Sequence, residues 1–432
     1  MGAGWSAHRY LASRARVGIR LGLESMRTLL GEMGQPERAW PCLLVAGTNG
    51  KGSVCSYVAA ALQASGLRTG LYTSPHLVRV HERIAVNGRP IAERALQTAV
   101  RAVRDAAQRL VERGQLEAHP TGFEVLTAAA CEHFRRARVD VAVLEVGLGG
   151  RRDATGVVEP LASAIVTIDY DHQAWLGDTL ASIAREKAGV LRPGRVTVLG
   201  PLPAVARRAI AGRARALGAR LLTAGRGARF FDRDGRLDLE TPRGSYPALR
   251  SLPGRHQRDN LLVAVRLLEV AADAGLPVDL ARLGEATRRT RWPGRLQSVP
   301  GRPRLLLDGA HNPAGARALA AHLGGERPYV LLFGAMQDKD VRALAAPLFA
   351  RAHQVVLTQP RLSRAATPAR LLARTRGLDG GQRHLEPSVA RALRLARRLA
   401  GSDGLVVAAG SLFLVGEVLS LLARQRRAAG RR

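Results

Sequence analysis

Lysine is almost missing from this chain. Of 66 basic residues only Lys51, Lys187 and Lys339 are lysine, and the rest are arginine. Arginine stands wherever either cation would serve, as in the helix-like run RAVRDAAQRLVER, a pattern that GC-rich coding bias would produce. Each lysine that survives is therefore a candidate for chemistry arginine cannot perform, because its amine is compact, reactive and open to pKa shifts. Aromatic residues are scarce too, at 4%. That weakens a nucleic-acid reading of the net charge of +31, since single-stranded nucleic acid is usually held by stacking on aromatic rings. No dedicated nucleic-acid partner is expected, although a basic, phosphate-binding nucleic-acid protein is kept as the reading from a different class. The three cysteines, Cys42, Cys55 and Cys131, form neither a disulfide framework nor a metal spacing, which suits the cytoplasm. No apolar run is long enough to span a bilayer, and His8, Arg9, Arg14 and Arg16 interrupt any signal-peptide core. MGAGWS fits the short myristoylation pattern and is read as chance, so no membrane partner is expected.

What is present begins with Leu43–Ser53, LLVAGTNGKGS. An apolar run ends at Gly47, a turn with Gly50 and Gly52 surrounds Lys51, and VCSYVAAALQASG follows with helical spacing. Strand, glycine turn and helix in that order aim backbone N–H groups and a helix N-terminus at one point, which suits a phosphate. The strict G-x-x-x-x-G-K-[ST] pattern is not met: position 45 is Val, and Gly52 separates Lys51 from Ser53. Cys55 falls in the first turn of that helix and is read as packing.

Strands alternate with helices through most of the 432 residues, which predicts an α/β chain of two domains. The first, residues 1–292, is a P-loop-type parallel-sheet ATPase domain. Residues 293–302, rich in Pro and Gly, form the linker. Residues 303–432 form a smaller Rossmann-like α/β domain. Residues 225–250 lose the alternation and read as short antiparallel strands. His76 and His81 are read as packed histidines in a loop region rather than ligands. Strand ends carry the chemistry-bearing groups. Glu145 closes VDVAVLEV ahead of GLGG, and Asp169, Asp171 and His172 follow SAIVTI. Ligands bind at the carboxyl ends of parallel strands, and Glu145 with Asp171 and His172 could complete a Mg²⁺ site. Asp308 and His311 lie in the turn LDGAHNPAG, where an acidic residue could accept from a ribose hydroxyl.

AGTNGKGS, TSPHL, LEVGLGGRRDAT, DHQAWLG, REKAGVLRPG, PGRHQRDN, WPGRLQ, LDGAHNP, DKD and GSLFLVGEV occur in that order. Together they resemble the folylpolyglutamate synthase and dihydrofolate synthase family of the Mur ligase superfamily. The resemblance implies an ATP-dependent, ADP-forming ligase that adds L-glutamate to dihydropteroate, to folate polyglutamates, or to both, through an acyl phosphate. RLGLESM is similar to a stretch of the bifunctional members, which favours both. The resemblance implies that Asn49, Gly50, Lys51, Gly52, Ser53, Asn260, Arg295 and Asp308 bind ATP. Ser74, Glu145 and His172 would hold Mg²⁺, one ion or two, with a monovalent cation as a further cofactor. Lys51, Glu145, His172 and Lys187 would be catalytic, with Lys187 carbamylated. Thr121, Gly122, Phe123, Glu124, Arg151, Arg152 and Asp153 would contact the pteroate, and the C-terminal domain would close over ATP and bind glutamate. Lys339 would be a third special amine near the phosphates. A monomer is expected. Gly156 stands where the family commonly has Asn, Asp169 is an extra carboxylate, and Leu261 replaces a frequent Ala. A peptidoglycan-type Mur ligase is disfavoured, because only about forty residues precede the glycine turn and a UDP-sugar domain needs more than twice that.

Overall fold

The computed structural model describes residues 5–15, 17–18, 20, 22–233, 236–325 and 328–429. The chain forms two compact units. The first takes in residues 1–76, 80–251 and 259–291; the second takes in 77–79, 252–258 and 292–432.

In the first unit the strands are β1 (Cys42–Ala46), β2 (Thr69–Tyr72), β3 (Ile84–Val86), β4 (Arg89–Pro90), β5 (Val141–Glu145), β6 (Ala162–Ile165), β7 (Val196–Leu199) and β8 (Arg220–Thr223). They form one sheet in the order β4-β3-β2-β5-β1-β6-β7-β8. The pairs from β2 to β8 are parallel, and β3 and β4 add an antiparallel edge. All five residues of β1 are buried, as expected of a central parallel strand covered on both faces. Its register sets Val45 opposite Glu145 on β5 and Ala164 on β6, so three strand ends meet beside Gly47.

Helices cover the sheet: α1 (Ala7–Ala15), α2 (Glu24–Glu32), α3 (Lys51–Ala64), α4 (Glu93–Glu112), α5 (Gly122–Ala137), α6 (Gln173–Leu176), α7 (Leu180–Lys187) and α8 (Ala204–Leu217). α4 buries Leu96, Ala99, Val100, Val103, Ala106, Ala107 and Leu110, a stripe at helical spacing, while Arg94, Arg101 and Arg109 lie outside it. α3 is buried along nearly its whole length, because it lies between the sheet and the helix Leu283–Arg289 of the same unit. Strands β9 (Arg229–Arg233), β10 (Arg236–Thr241) and β11 (Gly244–Leu249) form a separate antiparallel sheet, as the broken alternation predicts.

The second unit holds β12 (Gln297–Val299), β13 (Arg304–Leu307), β14 (Tyr329–Phe333), β15 (Ala352–Gln359), β16 (Gln382–Ser388) and β17 (Leu405–Ala409). Their order is β12-β13-β17-β14-β15-β16, parallel except for β12. Leu305, Leu307, Val330, Leu332, Val406 and Ala408 pack on one face of this sheet, and Leu306, Leu331, Phe333, Val355 and Val407 on the other. Part of the segment read as a linker is thus a strand, since β12 pairs with β13 through Gln297–Leu307, Ser298–Leu306 and Val299–Leu305. Among the described residues no helix is long and apolar enough to cross a membrane.

Candidate active site

The glycine turn is held by the segment that follows β6. The Thr48 N–H donates to the Thr167 carbonyl at 2.8 Å. The Asn49 N–H donates to Thr167 Oγ1 at 2.9 Å, and that hydroxyl donates to the Asn49 carbonyl at 3.0 Å. Asp169 joins the same clasp, its N–H donating to Thr48 Oγ1 at 3.1 Å. Gly50 has a φ of 83°, and a Cβ there would stand 2.3 Å from Asn260 Oδ1. The position is thus closed to side chains both by its left-handed backbone and by space. α3 starts at Lys51, so the N–H groups of Lys51, Gly52 and Ser53 belong to a first helical turn, the positive end of the helix dipole.

Two of the three lysines meet at this turn. Lys51 Nζ donates to the carbonyls of Gly47 at 3.1 Å and Thr48 at 3.3 Å. Lys187 ends α7 and is only 5% exposed. Its Nζ donates to the same Gly47 carbonyl at 2.9 Å. Burial brings the Lys187 pKa down to about 7, and the positive charge of Lys51 adds to the effect, while Asp171 and Asp153 act against it. A substantial share of this amine is therefore uncharged near neutral pH.

Glu145 is buried at the end of β5, and its Oε2 accepts the Ser74 N–H at 3.0 Å. Both Glu145 and Lys51 lie close enough to Cys55 to act on its thiol electrostatically. That thiol is fully buried and pushed well above its ordinary pKa by desolvation, which makes it a packing group. His172 has a left-handed backbone, with φ of 52°, ahead of the one-turn α6. Its Nε2 lies 3.9 Å from Asp171 Oδ1, and its side chain is more than a third exposed while that of Asp171 is buried. The Ser74 hydroxyl and the Glu145 carboxylate, at the neighbouring ends of β2 and β5, are hard oxygens of the kind Mg²⁺ takes, and His172 follows β6 with Asp171 beside it.

In the second unit, Asp308 follows β13 and is buried. Its Oδ2 accepts the Leu296 N–H and its Oδ1 the Ala310 N–H, each at 2.8 Å. Arg295 lies against this turn, because a Cβ on Gly309 would fall 2.2 Å from its Nη1. Asn312 caps helix α9 (Pro313–His322), its Oδ1 accepting the Gly315 N–H at 2.9 Å. His311 Nδ1 lies 2.8 Å from the Gly309 carbonyl. Lys339 is in the loop after β14, its N–H donating to the Met336 carbonyl. Of the residues assigned to ATP, Asn260 and the glycine turn belong to the first unit, and Arg295 and Asp308 to the second.

Residues 294–412 match the family model described as Mur ligase, glutamate ligase domain. A folylpolyglutamate synthase of Lacticaseibacillus casei is 37% identical over 312 residues, which is 68% of this chain and 71% of that protein. The chain belongs to the folylpolyglutamate synthase and dihydrofolate synthase family. Two longer archaeal relatives, of Halobacterium salinarum and Haloferax volcanii, are matched over only 38% and 49% of their length. The structure of E. coli FolC in complex with DHPP and ADP is similar over 98% of this chain and 99% of that one, with a TM-score of 0.87 and 30% identity. A bifunctional folylpolyglutamate synthase/dihydrofolate synthase with Mn, AMPPNP and L-glutamate bound is similar over 97% and 98%, with a TM-score of 0.85 and 30% identity. The resemblance read from the motifs therefore holds at the level of family and fold, and the protein is a ligase.

In this ligase several residues expected at the pteroate do local structural work. Thr121 caps α5: its Oγ1 accepts the Glu124 N–H at 3.3 Å, and Glu124 Oε2 accepts from the Thr121 N–H at 2.7 Å and hydroxyl at 2.8 Å. The other carboxylate oxygen of Glu124 is buried with no hydrogen-bond partner among the described residues. Phe123 packs on Tyr72 with ring centroids 6.1 Å apart. Asp153 holds the GLGGRRDAT loop closed, accepting from the Leu148 N–H at 2.7 Å, the Thr155 N–H at 3.0 Å and the Thr155 hydroxyl. Arg151 and Arg152 are exposed; the Arg151 N–H donates to the Glu186 carbonyl and Arg152 lies 3.6 Å from the Glu186 carboxylate. Gly156 is tightly placed: a Cβ there would stand 3.0 Å from the Gly150 carbonyl, so a side chain would need this loop to give by a few tenths of an ångström.

One pair escaped the sequence reading. Arg83 Nε donates to His76 Nδ1 at 3.0 Å, and Glu145 lies near enough to Arg83 to favour its charge. Burial, with the Arg83 charge beside it, holds His76 down to about 4, so this imidazole is neutral at working pH. Both residues sit in the loop region after β2, and nothing in their spacing points to the contact.

Proposed function

We propose that this ligase forms an amide between L-glutamate and a carboxylate of dihydropteroate or of folate glutamates, consuming ATP and releasing ADP and phosphate. The observation that carries the reading is the meeting of Lys51 and a buried Lys187 on the Gly47 carbonyl, beside the strand-end carboxylate Glu145. Phosphoryl transfer depends on positioning and charge neutralisation more than on covalent chemistry by the protein. The N–H groups at Gly50–Ser53, with Asn49 beside them, would cradle the phosphates, and Lys51 would exchange its carbonyl partners for phosphate oxygens. Ser74, Glu145 and His172 would hold Mg²⁺, which when bound neutralises phosphate charge. Asn260, Arg295 and Asp308 would contact the rest of ATP, the last through the ribose. The substrate carboxylate takes the γ-phosphoryl group. The neutral amine of glutamate then attacks the acyl carbon, phosphate leaves as the carbon–oxygen bond breaks, and the amine proton passes to solvent.

Lys187 would act as a carbamate. Its neutral amine attacks CO₂, forming an N–C bond and releasing one proton, and the resulting carboxylate supports the metal site. Arginine cannot do this, which accounts for a lysine kept here in so lysine-poor a chain. The enzyme would serve both the first glutamate and later ones, working as a monomer in the cytoplasm, where three buried free cysteines are compatible with a reducing medium. The C-terminal unit would bind glutamate and close over ATP, with a monovalent cation as an auxiliary ligand.

The test is ADP release with dihydropteroate or tetrahydrofolate, each with and without L-glutamate and Mg²⁺. Glutamate-dependent turnover on both substrates is expected. Turnover on neither would overturn the assignment, and turnover on one would remove the bifunctional part.

A further inference from the structure

We propose that His8, His81 and Glu93 form a binding site for a divalent transition-metal ion of the Zn²⁺ type, tying the N-terminal helix to the start of α4. The three residues come from separate elements. His8 is in the first turn of α1, His81 lies in the one-turn helix Val80–Arg83, and Glu93 is the first residue of α4. His8 Nε2 and His81 Nε2 both converge on one oxygen, Glu93 Oε2, at 3.0 and 2.9 Å. Each residue's ligand atom lies within 4.8 Å of the other two, and among the described residues this is the group of His, Cys, Asp and Glu side chains so placed. The imidazole rings are tilted at 44° to each other with centroids 5.4 Å apart.

A single hydrogen bond from one histidine would be enough to pin the carboxylate. Two imidazoles aimed at one oxygen form a three-pointed set of two nitrogens and one oxygen. Borderline ions such as Zn²⁺ suit a set dominated by two imidazole nitrogens, whereas Mg²⁺ and Ca²⁺ favour sets made mostly of oxygen. Zinc bonds of about 2.0–2.2 Å in a tetrahedron put ligand atoms roughly 3.3 Å apart. The two nitrogen–oxygen separations must therefore open by only a few tenths of an ångström, and the two nitrogens, within 4.8 Å of each other, must settle at a similar distance. His8 and Glu93, with about half their side-chain surface exposed, can make that shift, while His81 is held in the interior at 7%. With Nε2 on the metal the ring proton would sit on Nδ1, which is buried without a partner among the described residues, so the His81 ring is oriented by its packing and by Glu93 rather than by a second hydrogen bond.

The support around the carboxylate is built as well. Glu93 Oε1 accepts from Gln97 Nε2 at 2.7 Å, and Gln97 Oε1 accepts the Ala7 N–H at 2.8 Å. One glutamine thus orients the carboxylate and anchors the first turn of α1, the kind of outer partner that fixes a metal ligand. With three protein ligands, the fourth position would be left for water. The set shares no residue with those assigned to ATP, Mg²⁺ or pteroate.

The test is Zn²⁺ titration into the full chain with saturating Mg²⁺, read by competition with a chromophoric chelator. His8→Ala and Glu93→Gln are compared with the unmodified protein, and Gln97→Leu probes the outer partner. One Zn²⁺ equivalent is expected in the unmodified protein. It should weaken at least tenfold in His8→Ala and Glu93→Gln, and about tenfold in Gln97→Leu. Glutamate-dependent ADP release should persist in all three. Co²⁺ bound at the same stoichiometry should give the visible absorption of a four-coordinate site, absent from the His8→Ala protein. Absence of that equivalent, or equal Zn²⁺ affinity in the unmodified and variant proteins, would overturn the site.

Discussion

Lys187 concentrates the argument at the scale of single residues. Its amine is desolvated, shares a carbonyl with a second amine, and has a pKa brought down to about 7. Lys187→Arg keeps a positive charge but cannot form a carbamate, and arginine stays charged even where burial is costly. Turnover is expected to fall at least a hundredfold with the fold intact, and near-normal activity of that variant would sink the carbamate. The pH dependence has a definite sign. The reactive form is the neutral amine, which predominates above about pH 7 and is lost as pH falls through that value. The carbonyl signal of ¹³CO₂-labelled carbamate should therefore be strong at pH 8 and fade towards pH 6. A signal insensitive to pH over that range would count against the assignment. Lys51, Glu145 and Lys187 could be picked out from the sequence because each sits in a short motif at the end of a strand or helix. The Arg83–His76 contact could not, because it arises where the chain doubles back after β2.

Elements add constraints that single residues do not carry. The capping box at α5 gives Thr121 and Glu124 a structural task whatever they do for substrate. Thr121→Ala should lower stability by about 1 kcal/mol, read from the denaturant midpoint, and Thr121→Ser, which keeps the capping oxygen, should restore it. If stability is unchanged in Thr121→Ala, the cap is not the residue's main role. The turn before α3 is constrained in another way. Gly50→Ala must place a Cβ in a left-handed backbone 2.3 Å from Asn260 Oδ1. The backbone alone costs roughly 1–2 kcal/mol, and the clash displaces a residue assigned to ATP. Affinity for an ATP analogue should fall by more than stability does, which equilibrium titration beside a denaturation curve would separate. The continuously apolar strands were readable from the sequence; β8 and β16 were not. Arg220–Thr223 and Gln382–Ser388 are partly exposed sheet edges without a long apolar run, so they lack the signal that marks β1 and β5.

At the scale of the molecule, charge and connectivity matter more than any one contact. Alternating strands and helices announced two α/β parts. The short stretches 77–79 and 252–258, which pack with the second unit, carry no composition that marks them, because membership of a unit is decided in space. The net charge of +31 is likewise a property of the whole, spread over exposed arginines such as Arg94, Arg101, Arg151 and Arg220. A field of this sign should raise the encounter rate of ATP and of anionic folates without altering the chemical step. Screening shortens its reach from about 10 Å at 0.1 M salt to about 3 Å at 1 M. The kcat/KM for ATP should therefore fall several-fold across that range while kcat changes little. A fall confined to kcat would mean that salt acts on the catalytic groups, and no fall in either would mean that the arginine excess is electrostatically idle towards substrate. Duplex DNA added at the low-salt end discriminates further. A substrate-steering field predicts that DNA competes weakly and loses its effect as salt rises, whereas a dedicated nucleic-acid site would bind it without suppressing glutamate-dependent ADP release.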